Sequence, residues 1–153
     1  MDIGRNLKIE SVSRLQPTPP WQVAPTQSVF EATALMREKS VGCVLVCQES
    51  KVVGIFTERD LLRRVLAQDK PLSAPVSESM TYEPVSVHPK DPIATAIRRM
   101  EEGGYRHLPV VVDGKPVGIL SVKRIVHYLV EHFPATVYNL PPCSHSTPRR
   151  EGA

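Results

Sequence analysis

The sequence predicts an α+β fold made of two tandem repeats that pack together as a pseudo-two-fold pair. Three observations predict it: an internal duplication, the same order of strand and helix patterns in each copy, and the small core that one copy could bury alone. The chain has 153 residues, of which 41% are hydrophobic and 23% charged, as is typical of a folded globular protein.

The duplication is visible without a gap. A shift of 64 residues places Pro25–Gln68 on Pro89–His132 and aligns Gly54 with Gly118. An ungapped register of this length indicates repeated structural units.

The duplication divides the chain into four segments. They are a loose leading segment (1–11), repeat 1 (12–74), repeat 2 (75–133) and a Pro-rich tail (134–153). We expect disorder in the tail, at least from Cys143, because its apolar residues follow no helical spacing.

Each repeat is predicted to run strand, helix, strand, strand, helix. In repeat 1, Val29, Ala32 and Met36 recur at helical spacing. In repeat 2 the matching helix has Asp91 as its predicted N-cap and Pro92 at its first position.

A hairpin and a closing helix follow in each repeat. The strand runs Val41–Cys47 and Tyr105–Val112 each lead through a turn into a second apolar strand. The closing amphipathic helices carry apolar positions at Leu61, Leu62, Val65 and Leu66, and at Ile125, Val126, Leu129 and Val130.

Charge and composition exclude several classes of protein. The net charge of +3 is too small to indicate a nucleic-acid partner, and no apolar run is long enough for a membrane helix. The charged N-terminus does not resemble a signal peptide, and Cys43 and Cys47 lie in an apolar run as expected for buried thiols. We therefore expect a cytoplasmic protein.

The chemistry is concentrated where repeat 1 enters its closing helix. Gly54 leaves room for a planar ligand, and Thr57 is a predicted N-cap whose hydroxyl and neighbouring amides could meet a phosphate. Asp60 could accept two hydrogen bonds from a ribose diol. Thr57 and Asp60 also fit a capping box, and the sequence leaves both interpretations open. In repeat 2, Ser121 keeps the predicted cap but Arg124 replaces the acid.

The duplicated pattern resembles the CBS domain family over about residues 12–132. The segments that carry the resemblance are Val76–Thr81, Tyr105–Lys115, Gly118–Ser121 and, for the nucleotide motif, Gly54–Asp60. The resemblance implies a regulatory module that senses an adenine nucleotide (AMP, ADP or ATP) or S-adenosylmethionine. It also implies one main ligand site between the repeats, because only repeat 1 carries the ribose acid.

The resemblance also assigns site residues. Asp60 would bind the ribose, and Thr57, Arg106, His107 and Lys123 would bind the phosphates. Cys43, Val44, Ile55 and Phe56 would line the adenine pocket, although for most of them packing in the core is the more common role. Repeat 1 departs from the family at Gly42 and Leu45, where repeat 2 has Arg106 and Pro109.

Two functions of different classes remain after the sequence is examined. The first is the nucleotide sensor, acting as a homodimer on a regulated protein that the sequence does not identify. The second is a ligand-free CBS scaffold for dimerisation and protein interaction. We predict no catalytic residue and no metal site, since no nucleophile lies beside a base and Cys143 with His145 supplies only two ligands.

Overall fold

A computed structural model of the chain describes residues 2–134, so nearly all of the predicted tail lies outside the described residues. The helices are α1 (Ile3–Ile9), α2 (Val29–Lys39), α3 (Glu58–Asp60), which continues as a π-helix over Leu61–Leu66, α4 (Ile93–Gly103) and α5 (Val122–His132). The strands are β1 (Gln22–Val23), β2 (Cys43–Gln48), β3 (Lys51–Thr57), β4 (Thr81–Tyr82), β5 (His107–Val112) and β6 (Lys115–Ser121). Short 3₁₀ turns lie at Val12–Leu15 and Val76–Glu78. The predicted α+β fold of two repeats is confirmed.

The strands form a sheet in each repeat. In repeat 1 the order is β1-β2-β3-β4, with β1 parallel to β2 and the other pairs antiparallel. In repeat 2 the β5-β6 hairpin is joined by a single parallel bridge between Val87 and Val110. The backbone N–H of Leu45 donates to Trp21 O at 2.9 Å in repeat 1, whereas Pro109 at the equivalent position has no N–H. The counterpart of β1 in repeat 2 is therefore reduced to a bridge.

The two repeats exchange their leading segments. Strand β4, which opens repeat 2, pairs with β3 of repeat 1, and Thr18 of repeat 1 bridges Ile119 in β6. The cores follow the same exchange. Val12 and Leu15 are buried among α4 and α5, and Val76 and Met80 among α2, β2 and β3. Each repeat thus completes the core of the other, and the shift of 64 residues becomes a pseudo-two-fold relation in space.

The leading segment, expected to be loose, contains a helix. Asp2 accepts a hydrogen bond from Gly4 N at 3.0 Å, and Ile3 and Leu7 pack against the core of repeat 2. Asn6 Nδ2 also donates to Tyr128 Oη at 3.2 Å. The prediction was wrong because a helix this short is stabilised by tertiary packing rather than by its own propensity.

The cap predicted at Asp91 is also wrong. Helix α4 begins after Pro92, and the Asp91 carboxylate instead accepts from His88 N at 2.8 Å, which closes the preceding turn. The well-capped helix is α2, where Ser28 and Glu31 form a complete capping box.

The closing helices bury fewer of the predicted residues than expected. In repeat 1, Val65 is fully buried, but Leu62 is 62% and Leu66 51% exposed. In repeat 2, Ile125 and Tyr128 are buried, whereas Val126 is exposed. The π-helix over Leu61–Leu66 contributes to the difference, because it shifts the face that an α-helical spacing would assign.

Candidate functional site

A groove of about 1450 Å³ runs between the two repeats. On one side it is lined by the ends of α2 and β2 and by the start of α3, and on the other by the α4–β5 connection and the start of α5. Most of the predicted site residues border it: Cys43, Ile55, Thr57, Asp60, Arg106, His107 and Lys123. The pseudo-two-fold packing therefore brings residues from both repeats to one space.

Thr57 and Asp60 form a capping box at the start of α3. Asp60 Oδ2 accepts from Thr57 N at 3.0 Å and from Thr57 Oγ1 at 3.1 Å, and Asp60 N donates to Thr57 Oγ1 at 3.2 Å. The hydroxyl of Thr57 is thus occupied within the box. The phosphate contact predicted for Thr57 would require that hydroxyl to leave its bond with Asp60.

The second carboxylate oxygen of Asp60 faces Arg64. Arg64 Nε lies 3.5 Å from Asp60 Oδ1, and Arg64 Nη1 donates to Met80 O at 2.7 Å. Asp60 is only 7% exposed, yet it borders the groove. Oδ1, which has one distant cationic neighbour, is the atom able to accept further hydrogen bonds from a ligand.

The three basic residues predicted to bind the phosphates differ in charge at neutral pH. Arg106 and Lys123 are exposed cations, whereas His107 is half-buried. Burial lowers the pKa of His107 below its ordinary value of 6.5, Glu58 opposes this shift, and Arg106 and Lys123 add to it. His107 is therefore mainly neutral at pH 7 and becomes a cation only in more acidic solution.

The groove is lined by many more basic than acidic residues. Seven arginine or lysine residues border it among the described residues: Arg37, Arg59, Arg63, Arg64, Arg106, Lys123 and Arg124. The acidic residues among its lining are Glu58 and Asp60. The groove therefore carries the local positive charge that the mild net charge of the chain does not reveal.

Only two of the four residues predicted for the adenine pocket line the groove. Cys43 and Ile55 line the groove, but Val44 and Phe56 are fully buried in the core beneath α2. Successive residues of a strand point to opposite faces, so neighbours in β2 and in β3 cannot all face one ligand. Burial raises the pKa of the Cys43 thiol to about 12, so this residue packs as a neutral group.

Two further expectations, one about the cap at Ser121 and one about Gly54, are corrected. Within the described residues Ser121 makes no side-chain cap, and Arg124 donates from Nε and Nη2 to Gln16 O at 3.0 and 2.8 Å. Gly54 lies inside β3 rather than at its end, and a Cβ there would collide with Met80 Sδ. Gly54 thus admits a side chain from repeat 2, not a ligand.

Sequence reasoning missed Glu58, which borders the groove beside His107. The residue that the shift of 64 places opposite it is Val122. Comparing the charge at equivalent positions of the two repeats would have found it, just as that comparison found Asp60 and Arg124. Within residues 2–134 the structure contains no cluster of side chains suited to a metal ion and no helix that could span a membrane.

The fold and the groove define a small module of two pseudo-symmetric repeats around a shared, basic cleft. The chain belongs to the CBS domain family, which matches residues 12–67 and 76–131. The family predicted from the sequence is thus confirmed.

The curated relatives include proteins of different lengths. The CBS domain-containing protein YhcV of Bacillus subtilis is 35% identical over 100 residues, covering 65% of this chain and 71% of YhcV. The CBS domain-containing protein CBSCBSPB1 of Arabidopsis thaliana is 37% identical over 111 residues, which are 71% of this chain but only 20% of the plant protein.

Similar solved structures include complexes with adenosyl compounds. The CBS domain protein PAE2072 from Pyrobaculum aerophilum, complexed with AMP, is 26% identical with a TM-score of 0.71, over 80% of this chain and 99% of that one. The CBS domain pair of MJ0100, in complex with 5′-methylthioadenosine and S-adenosyl-L-methionine, is 25% identical with a TM-score of 0.72, over 78% and 99%. CBS-domain proteins of this fold therefore include ones that bind AMP or other adenosyl compounds.

Proposed function

We propose that this module is a non-catalytic sensor that binds an anionic adenine nucleotide, AMP, ADP or ATP, at one main site in the groove. The observation that carries the proposal is the excess of basic over acidic lining residues around the buried carboxylate of Asp60. A phosphate chain is suited to that charge, and a ribose diol is suited to a carboxylate. The AMP complex of PAE2072 supports the same ligand class.

In this arrangement Asp60 Oδ1 accepts from the ribose, while Arg106 and Lys123 contact the phosphates. His107 strengthens the phosphate contact when it is protonated. Cys43 and Ile55 contribute apolar lining to the groove. S-adenosylmethionine is the alternative ligand, supported by the MJ0100 complex, but its sulfonium cation is less suited to a basic groove.

Calorimetric titration of the chain with AMP, ADP, ATP and S-adenosylmethionine tests the proposal. We expect one nucleotide per chain and a tenfold to hundredfold loss of affinity in Asp60→Ala, which corresponds to about 1.5–3 kcal/mol for hydrogen bonds to a charged group. Wild-type affinity in Asp60→Ala, or two equivalent sites, would contradict it.

A matched control is available because α2 carries a second capping box. Glu31→Ala removes the acid of the Ser28 box, whose residues do not line the groove. Both substitutions should lower the melting temperature, since each breaks a cap. Only Asp60→Ala should also weaken nucleotide binding, which separates a ligand contact from a capping effect.

The second candidate is a ligand-free scaffold, and one observation favours it. The Asp60 carboxylate already has a structural role in the capping box, so its presence does not require a ligand. If none of the four compounds binds, the scaffold becomes the better explanation.

Both candidates include a homodimer, acting on a protein target still to be identified. Leu62 and Leu66 are exposed on the closing helix of repeat 1, and Val126 on that of repeat 2. A second copy of the chain would cover these apolar side chains. Sedimentation should show a species of twice 17.0 kDa at micromolar concentration, and a species of 17.0 kDa alone would contradict the dimer.

The free thiols of Cys43 and Cys47 agree with the predicted cytoplasmic location.

A further inference from the structure

Glu58 and Val122 occupy equivalent places on the two sides of the groove. Glu58 N donates to Gly42 O at 3.1 Å, and Val122 N donates to Arg106 O at 3.1 Å. Both residues border the groove, and both are exposed. The duplicated backbone therefore presents a carboxylate on one side and an apolar side chain on the other.

The Glu58 carboxylate lies close to the residues assigned to phosphate binding. A Cβ built on Gly42 would lie 3.3 Å from the His107 ring and 3.7 Å from Glu58 Cδ, so these two side chains flank Gly42. The effect of Glu58 on the pKa values of both His107 and Cys43 is consistent with this proximity. A phosphate that contacts His107 would therefore approach a negative charge.

Several of the surrounding cations are held by protein groups. Arg59 Nη1 donates to Gly104 O at 3.2 Å, Arg64 bonds Met80 O, and Arg124 bonds Gln16 O. These arginines favour an anion in the groove as a whole, but their donors are directed partly at the backbone. Glu58 thus opposes Arg106 and Lys123, the two cations assigned to phosphate binding, on the side of the groove that they share with His107.

We propose that Glu58 is a specificity-determining residue that weakens the groove's affinity for each added phosphate charge, and so lowers the affinities for ADP and ATP relative to AMP. This inference rests on the proposed nucleotide site. A carboxylate about 6 Å from a phosphate, in a water-like dielectric, weakens binding about threefold for each added unit charge. Removing that carboxylate should raise the affinity for ATP more than the affinity for AMP.

The test is calorimetric titration of AMP and ATP at constant low ionic strength with EDTA present, so that bound magnesium does not change the nucleotide charge. Glu58→Gln should shift the ratio of the two affinities towards ATP by about threefold to tenfold. Val122→Glu, which adds a carboxylate at the equivalent place, should shift the ratio in the opposite direction.

Glu38→Gln is the matched control, because it removes the same charge from an exposed helical position that does not line the groove. It should leave the ratio of affinities at the wild-type value. Binding of nucleotides with an unchanged ratio in Glu58→Gln would overturn this inference alone. Absence of any nucleotide binding by the wild-type chain would overturn the proposed function and this inference with it.

Discussion

The starts of the two closing helices have the same backbone position but different side-chain roles. In repeat 1, Arg64 bonds Met80 O, and Asp60 completes a capping box with Thr57. In repeat 2, Arg124 stands in the place of Asp60 and bonds Gln16 O, the carbonyl equivalent to that of Met80. Both repeats therefore satisfy the same carbonyl of an exchanged segment, but with arginines from different positions.

This difference explains why one repeat has a buried acid and the other does not. The residue equivalent to Arg64 is Tyr128, which is buried in the core of repeat 2 and bonded by Asn6. In repeat 2 it is Arg124 that reaches Gln16 O. In repeat 1 Arg64 has that role, so position 60 can carry the carboxylate proposed to bind ribose.

The largest expected effect tests the exchange of leading segments. Leu15 belongs to repeat 1 in sequence but is 3% exposed in the core of repeat 2. Leu15→Ala should lower the free energy of unfolding by about 2–5 kcal/mol, as measured by urea denaturation. Hydrogen exchange should accelerate first in α4 and α5. Loss of protection confined to α2 would show that the cores are not exchanged.

A smaller effect is expected from the two arginines themselves. Arg64→Ala should cost about 1–3 kcal/mol, because it removes a partner of buried Asp60 as well as a donor to Met80 O. Arg124→Ala should cost about 1 kcal/mol, since it removes only bonds to an exposed carbonyl. The two variants are compared by thermal unfolding. Equal losses of stability would show that the two arginines have the same structural role in their repeats.

The smallest expected effect is the pH dependence of stability that comes from His107. The folded pKa of His107 is lowered, chiefly by burial, so the unfolded chain takes up this proton first as the pH falls below 6.5. The stability supplied by neutral His107 is complete above pH 6.5 and declines from there towards its lower folded pKa. His107→Gln should remove that part of the pH dependence.

Nucleotide affinity should depend on pH in the opposite direction to stability. A bound phosphate favours protonated His107, so affinity should rise as the pH falls through the same window. Titrations of wild type and His107→Gln in matched buffers would measure both effects. A wild-type profile identical to that of the variant would show that His107 does not titrate in the groove.

The site could be predicted to the extent that it depends on aligned sequence positions. The local motif located Thr57 and Asp60, and the resemblance to the family located Lys123; all three border the groove. Val44 and Phe56 were misplaced because a strand motif was treated as one surface, whereas alternate residues face the core. Glu58 was missed because a charged residue in a first helical turn has an ordinary explanation in the helix dipole.

The sequence by itself determined the family, the α+β repeats and the asymmetry between Asp60 and Arg124, because an ungapped duplication preserves every equivalent position. Only the tertiary structure decided which segment completes which core, that α1 packs on repeat 2, and that Thr57 and Asp60 bond each other. These features depend on contacts between residues far apart in the chain or on the exact direction of a side chain. Neither is encoded in a local pattern of residue types, so packing had to decide them.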